Sequence, residues 1–103
     1  MIKVLLADDH SLVRTGIKGI LERSPDIRVV GEASDGQEAV EQYKALRPDV
    51  VILDISMPVM DGLESTKSLL AIDPQVPILI LTMYPERQYA VRALKAGALG
   101  YTV

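Results

Sequence analysis

Apolar residues gather in short unbroken runs along this chain, and the stretches between the runs carry helical spacing. Val4-Leu5-Leu6-Ala7, Val50-Val51-Ile52-Leu53 and Ile78-Leu79-Ile80-Leu81 are continuous rather than alternating. Such runs predict strands covered on both faces, as in a parallel sheet flanked by helices. A weaker run, Ile27-Arg28-Val29-Val30, and a final Ala98-Leu99-Gly100-Tyr101-Thr102-Val103 bring the predicted strands to five. After the first run, Val13, Ile17, Ile20 and Leu21 fall on one face of a helix that Ser11 is placed to cap. Gly16 and Gly19 each weaken that helix by about 1 kcal/mol.

Asp35-Gly36-Gln37-Glu38 has the form of a capping box and opens a second helix, with Ala39, Val40, Tyr43 and Leu46 inward and Pro48 as its stop. Asp61-Gly62-Leu63-Glu64 repeats that logic before Leu63, Thr66, Leu69 and Leu70, and Asp73-Pro74 ends the third helix. Pro85-Glu86 opens a fourth, with Tyr89, Ala90, Ala93 and Leu94 inward and Gly97 as its C-terminal cap. Strand and helix therefore alternate from end to end. The expected fold class is α/β, a doubly wound five-stranded parallel sheet with helices on both faces. Neither a linker nor a low-complexity stretch divides residues 1–103, so one domain is expected.

Composition narrows the chemistry. The chain has 103 residues, 49% hydrophobic and 24% charged, which excludes intrinsic disorder and allows one buried core. With no cysteine, a disulfide framework, a thiolate metal site and a Cys nucleophile are excluded, and a single histidine rules out a His-based metal cage. Eleven basic against 14 acidic residues, a net charge of −3 and no basic block argue against direct DNA binding by this chain. No apolar run approaches the ~20 residues of a membrane span. A soluble, cytoplasmic domain is the expectation.

The polar residues that follow the strands carry the functional signal. Ala7 runs into Asp8-Asp9, Leu53 into Asp54, and Leu81 into Thr82. In open α/β sheets ligands bind at the carboxyl ends of the strands, where the strand order reverses. With an order of 2-1-3-4-5 that point lies between strands 1 and 3, so Asp8, Asp9 and Asp54 meet in one cleft beside Thr82. Clustered carboxylates repel one another unless a cation neutralises them, and a few oxygen ligands suit Mg²⁺ that retains waters and awaits phosphate oxygens. Phosphoryl binding or transfer is the chemistry this implies. A lone acid at such a position is equally well explained as a helix cap; the joint pattern is not.

The same residues resemble the receiver domain of two-component response regulators, over all 103 positions. The match consists of Asp8-Asp9, Asp54 behind a Val-Ile-Leu strand, Met57-Pro58-x-Met60-Asp61-Gly62, Thr82, Lys95-Ala96-Gly97-Ala98 and Tyr101. Asp8-Asp9-His10 with Val13-Arg14-x-Gly16, and Val30-Gly31-Glu32-Ala33, are similar to the NarL/FixJ (LuxR-type) subgroup. The resemblance implies a flavodoxin-like sheet in which Asp54 accepts a phosphoryl group from a sensor histidine kinase. It implies Mg²⁺ held by Asp8, Asp9, Asp54 and the backbone carbonyl of Ser56. Thr82 would hydrogen-bond the new phosphoryl oxygen, and Tyr101 would rotate as the switch aromatic. Expected partners are the kinase, a second copy in a homodimer, and a C-terminal helix-turn-helix output domain not present in this sequence. Such a domain is no enzyme beyond slow self-dephosphorylation.

Two departures qualify that picture. Receivers carry a lysine three residues after the switch aromatic and a fifth helix beyond it, whereas Val103 stands two residues after Tyr101. The expectation is an incomplete receiver whose last strand exposes Leu99, Tyr101 or Val103. Met83 occupies a position where a small residue is common, and Ser56 and Tyr84 stand where phosphoryl lifetime is tuned. Tyr43 and Tyr89 read as core-edge residues, Arg87 and Arg92 as solvated charges, and His10 as a rim residue at the start of a helix rather than a metal ligand. Three other functions compete. A phosphatase with an aspartyl intermediate needs an acid where Ser56 stands, and flavin binding needs a Gly/Ser/Thr-rich loop after strand 1. A receiver fold that no longer switches, serving only as an interaction module, is the alternative for this truncated form.

Overall fold

The structure, a computed structural model, describes residues 1–54 and 57–81 and the backbone of 100–102. Its strands are β1 (Ile2–Ala7), β2 (Ile27–Ala33), β3 (Val50–Asp54), β4 (Ile78–Leu81) and β5 (Gly100–Thr102). They form one sheet of order β2-β1-β3-β4-β5, parallel throughout. This is the doubly wound, flavodoxin-like order. The helices described are α1 (Ser11–Leu21), α2 (Gly36–Leu46) and α3 (Gly62–Ile72). The fourth predicted helix lies outside the described residues.

Each strand's unbroken apolar run divides between two cores by the period of two that the pleat imposes. Leu5, Ala7, Val51, Leu53, Ile78 and Ile80 point toward α2 and α3, where they pack with Ala39, Val40, Tyr43, Leu63 and Leu69. Val4, Leu6, Val29 and Ile52 point the other way, where Leu79 and Leu81 of β4 join them and Ile17 and Leu21 of α1 cover them in part. Burying both faces is why these strands read as continuous rather than alternating.

The second core is the thinner one, and here two expectations need correction. None of the residues of α1 is buried; Val13 is 44% and Ile20 63% exposed, so only the Ile17–Leu21 edge of the predicted face reaches the sheet. The cap also lies one residue earlier than expected, since Ser11 is already the first residue of the helix. His10 is the N-cap, in extended conformation, and its side chain makes no capping hydrogen bond. Gly16 and Gly19 have nothing within 4 Å of where a methyl group would stand. Gly16→Ala and Gly19→Ala should therefore each stabilise the chain by about 0.5–1 kcal/mol, through helix propensity and a less flexible unfolded state. Urea unfolding would show it as a raised midpoint at constant slope.

Opposite α1, the two capping signals hold. The Asp35 carboxylate accepts from the Glu38 N–H at 2.7 Å, and Asp61 does the same for Glu64 at 2.8 Å. Leu63, Thr66 and Leu69 are buried as predicted, while Leu46 at the end of α2 is 40% exposed. Tyr43 joins α2 to the end of α3, its hydroxyl donating to Asp73 at 2.8 Å and its ring lying under the Arg47 guanidinium. Burial first, and the neighbouring Asp73 second, push the Tyr43 phenol up. The Gln75 N–H, followed by the Tyr43 hydroxyl, holds the Asp73 carboxyl below its ordinary value.

Candidate metal centre at the carboxyl end of the sheet

β1 lies between β2 and β3, so the chain leaves it at the point where strand order reverses. Ala7 registers with Ala33 on one side and Leu53 on the other, which sets Asp8 and Asp54 side by side at the sheet's carboxyl edge. Asp8 is buried, 6% exposed, and its N–H extends the ladder to the Ala33 carbonyl at 3.0 Å. Its carboxylate accepts the His10 N–H at 2.7 Å, and its carbonyl accepts from the Arg14 guanidinium. Arg14 also faces Glu32 at 3.4 Å, and Lys18 approaches the same carboxylate at 3.7 Å. These contacts tie the turn after β1 to both β2 and α1, fixing where Asp8 and Asp9 stand.

One donor atom from each of Asp8, Asp9, His10 and Asp54 falls within a common span of 4.8 Å. The His10 Nδ1 is 3.0 Å from an Asp9 oxygen and 3.3 Å from an Asp8 oxygen. Three carboxylates at this spacing repel, and a divalent cation is the simplest group that offsets the repulsion. The donor set is hard, mostly oxygen and free of thiolate, so it fits Mg²⁺. The three predicted acids are thus brought together. His10 is the helix-entry residue expected at the rim, its ring exposed, and its Nδ1 lies against the two acids of the turn. Neighbours on a turn have no periodicity from which that orientation could be read. The strand before Thr82 ends at Leu81, in register with Asp54. The backbone of Tyr101 registers with Ile80 in β5. Ser56, Thr82, Met83, Tyr84 and the side chain of Tyr101 lie outside the described residues.

The segment after the acid of β3 is held by a close approach the sequence did not announce. The Gly36 N–H donates to the Met60 carbonyl at 2.9 Å, and the Ser65 hydroxyl donates to the Gly36 carbonyl at 3.2 Å. The starts of α2 and α3 are thereby clasped around residues 57–61. Within that segment Val59 has φ 66° and the Met60 N–H reaches back to the Pro58 carbonyl at 2.7 Å, a tight three-residue turn. Left-handed backbone costs a β-branched residue about 1–2 kcal/mol, and Val59 is 81% exposed, so its side chain contributes little packing in return. Val59→Gly is expected to raise stability by about 1 kcal/mol, read as a higher thermal midpoint.

Comparison with known proteins agrees with this geometry. The family described as "Response regulator receiver domain" matches residues 4–103. The response regulator GacA of Pseudomonas syringae pv. syringae (strain B728a) is 44% identical over 101 residues, covering 98% of this chain and 47% of that relative. This chain therefore spans about half the length of the relative it matches. A two-component response regulator of the LuxR family from Aurantimonas sp. SI85-9A1 superposes with a TM-score of 0.95 at 39% identity, covering 99% of this chain and 74% of that one. The CheX-CheY-BeF3-Mg complex from Borrelia burgdorferi contains a chain that superposes with a TM-score of 0.93 at 28% identity, covering 99% of this chain and 77% of that one. With the sheet order, the clustered acids and a family match reaching from Val4 to Val103 in agreement, the chain belongs to the response regulator receiver domains.

Proposed function

We propose that this chain is the phosphoryl-accepting switch of a two-component system, with Asp54 as the acceptor. The observation that carries the reading is the convergence of Asp8, Asp9 and Asp54 at the switch point of the sheet. In the proposed step a carboxylate oxygen of Asp54 attacks the phosphorus of a kinase phosphohistidine. The P–N bond breaks, the imidazole leaves with the bond's electron pair, and an acyl phosphate remains on Asp54. Asp8, Asp9, Asp54 and the Ser56 carbonyl would hold Mg²⁺, which supplies charge neutralisation for the transferred group. Arg14 and the ladder bond to Ala33 keep Asp8 in place while its charge is opposed.

Thr82 then hydrogen-bonds a phosphoryl oxygen, and Tyr101 reports the change to the surface around β5, altering binding to a partner or a second copy. The LuxR-family likeness and the half-length match to GacA support an attached helix-turn-helix domain as the output, and control of transcription as its consequence. DNA contact belongs to that domain, since this chain carries a net −3. Among the described residues no helix is long and apolar enough to cross a membrane, which suits a cytoplasmic regulator served by a separate sensor kinase. The domain acts as a signalling module rather than an enzyme.

Intact mass after incubation with acetyl phosphate and Mg²⁺ tests the reading, on this chain and on one extended through a further helix. A single phosphoryl adduct is expected, and Asp54→Asn should abolish it. An adduct that survives Asp54→Asn removes Asp54 as acceptor. Absence of any adduct, from acetyl phosphate and from a purified kinase alike, favours a receiver fold that serves only as an interaction module.

A further inference from the structure

Residue 8 is tied to β2 at both ends of its backbone. Its N–H donates to the Ala33 carbonyl at 3.0 Å, and its carbonyl accepts from the Arg14 guanidinium, which faces Glu32 at 3.4 Å. Glu32 and Ala33 are consecutive on β2, so one tie is direct and the other passes through a side chain of α1. The two ties differ in consequence. The bond to Ala33 continues the sheet, whereas the Asp8 carbonyl belongs to the planar peptide that carries the chain into Asp9. The angle of that peptide sets where the Asp9 carboxylate leaves the backbone. Arg14 holds this angle at the expense of its own pairing. Among the described residues its Nε is buried without a hydrogen-bond partner, although a Glu32 oxygen is 3.4 Å away. A buried donor left unpaired is costly. An ion pair serving stability alone gains by aligning with Glu32; this guanidinium keeps its Nη1 on Asp8.

We infer that Arg14 is the positioning residue of the acid turn, fixing the Asp8–Asp9 peptide so that both carboxylates stay within the 4.8 Å span they share with Asp54. Glu32 holds the guanidinium from the β2 side, and Lys18, 3.7 Å from the same carboxylate, balances its charge. The inference rests on the proposed reading of Asp8, Asp9 and Asp54 as a Mg²⁺ site, and adds the residue that sets its geometry. It has a sign that electrostatics alone reverses. Arg14 is a cation beside a cation site, so loss of its charge alone should tighten Mg²⁺ binding. Loss of the peptide it positions should weaken that binding.

Calorimetric titration of Mg²⁺ into the parent chain, Arg14→Gln and Arg14→Lys tests this. Glutamine is uncharged and too short to reach the carbonyl; lysine keeps the charge but lacks the planar fork. Arg14→Gln should bind Mg²⁺ about tenfold more weakly despite the lost positive charge, and Arg14→Lys should also fall below the parent. The rise in thermal midpoint on adding Mg²⁺ reads the same affinity in a variant that has lost stability. A variant that binds Mg²⁺ as tightly as the parent, or tighter, overturns the inference and leaves Arg14 a brace between α1 and the sheet. A parent that binds no Mg²⁺ overturns the reading of the acids as a metal site, and the inference with it.

Discussion

Gly36→Ala should destabilise this chain by about 3 kcal/mol, the largest loss expected from adding a single methyl group. A Cβ at this position would stand 2.0 Å from the Met60 carbonyl oxygen and 2.8 Å from its carbon. Both are backbone atoms, so relief cannot come from turning a side chain. Either α2 lifts from the segment before α3, or Met60 moves and draws the turn at Val59 with it. Each route breaks the Gly36–Met60 hydrogen bond and strands a buried polar group, since the Ser65 hydroxyl that serves the Gly36 carbonyl is fully buried. Gly31 is the control. Its Cβ would meet Gln42 Oε1 and Leu46 Cδ1 at 2.6 Å and Leu5 Cδ1 at 3.2 Å, side-chain ends rather than backbone. Gly31→Ala should cost well under half as much. Urea unfolding of both variants decides the matter, and a Gly36→Ala midpoint near that of the parent would refute the clasp.

What the chain disclosed in advance, and what it withheld, follows from the range of the interactions concerned. The sheet was legible because Val50–Leu53 and Ile78–Leu81 are apolar on both faces, a local property that only a covered parallel strand satisfies. The caps at Asp35 and Asp61 were legible because donor and acceptor lie three residues apart. Asp8, Asp9 and Asp54 were legible as a site because strand order, once guessed, delivers them together.

Helix α1 shows where periodicity stops. Its apolar stripe predicts a face, but how much of that face is covered depends on what packs there, and Val13 and Ile20 remain exposed. The clasp at Gly36 depends on a carbonyl far along the chain, and glycine after a capping aspartate has a sufficient local explanation already. Val59 was hidden for the opposite reason: valine argues against the left-handed backbone that the turn before Met60 imposes on it. His10 reads as a residue at the entry of a helix, and only the turn after β1 brings its ring nitrogen beside the acids.

Asp9→Ala should weaken Mg²⁺ binding by about 100-fold or more, equivalent to about 2.7 kcal/mol. Asp9 is the more exposed of the acid pair, with 31% of its side chain accessible against 9% for Asp8. It also carries fewer structural duties. Asp8 holds the His10 N–H and lies in the interior, so its removal would disturb the turn as well as the charge. Among the described residues, the Asp9 carboxylate contacts the His10 ring. Its replacement therefore separates metal binding from folding. Without Mg²⁺ the variant should unfold no earlier than the parent, because it relieves repulsion among the three carboxylates. With Mg²⁺ the parent alone should gain stability, since an ion bound only by the folded state raises its midpoint by mass action. Calorimetric titration and thermal unfolding with and without Mg²⁺ read the two effects independently. An Asp9→Ala chain that keeps the parent's Mg²⁺ affinity would take Asp9 out of the site. One that unfolds early in the absence of Mg²⁺ would show that Asp9 also supports the fold.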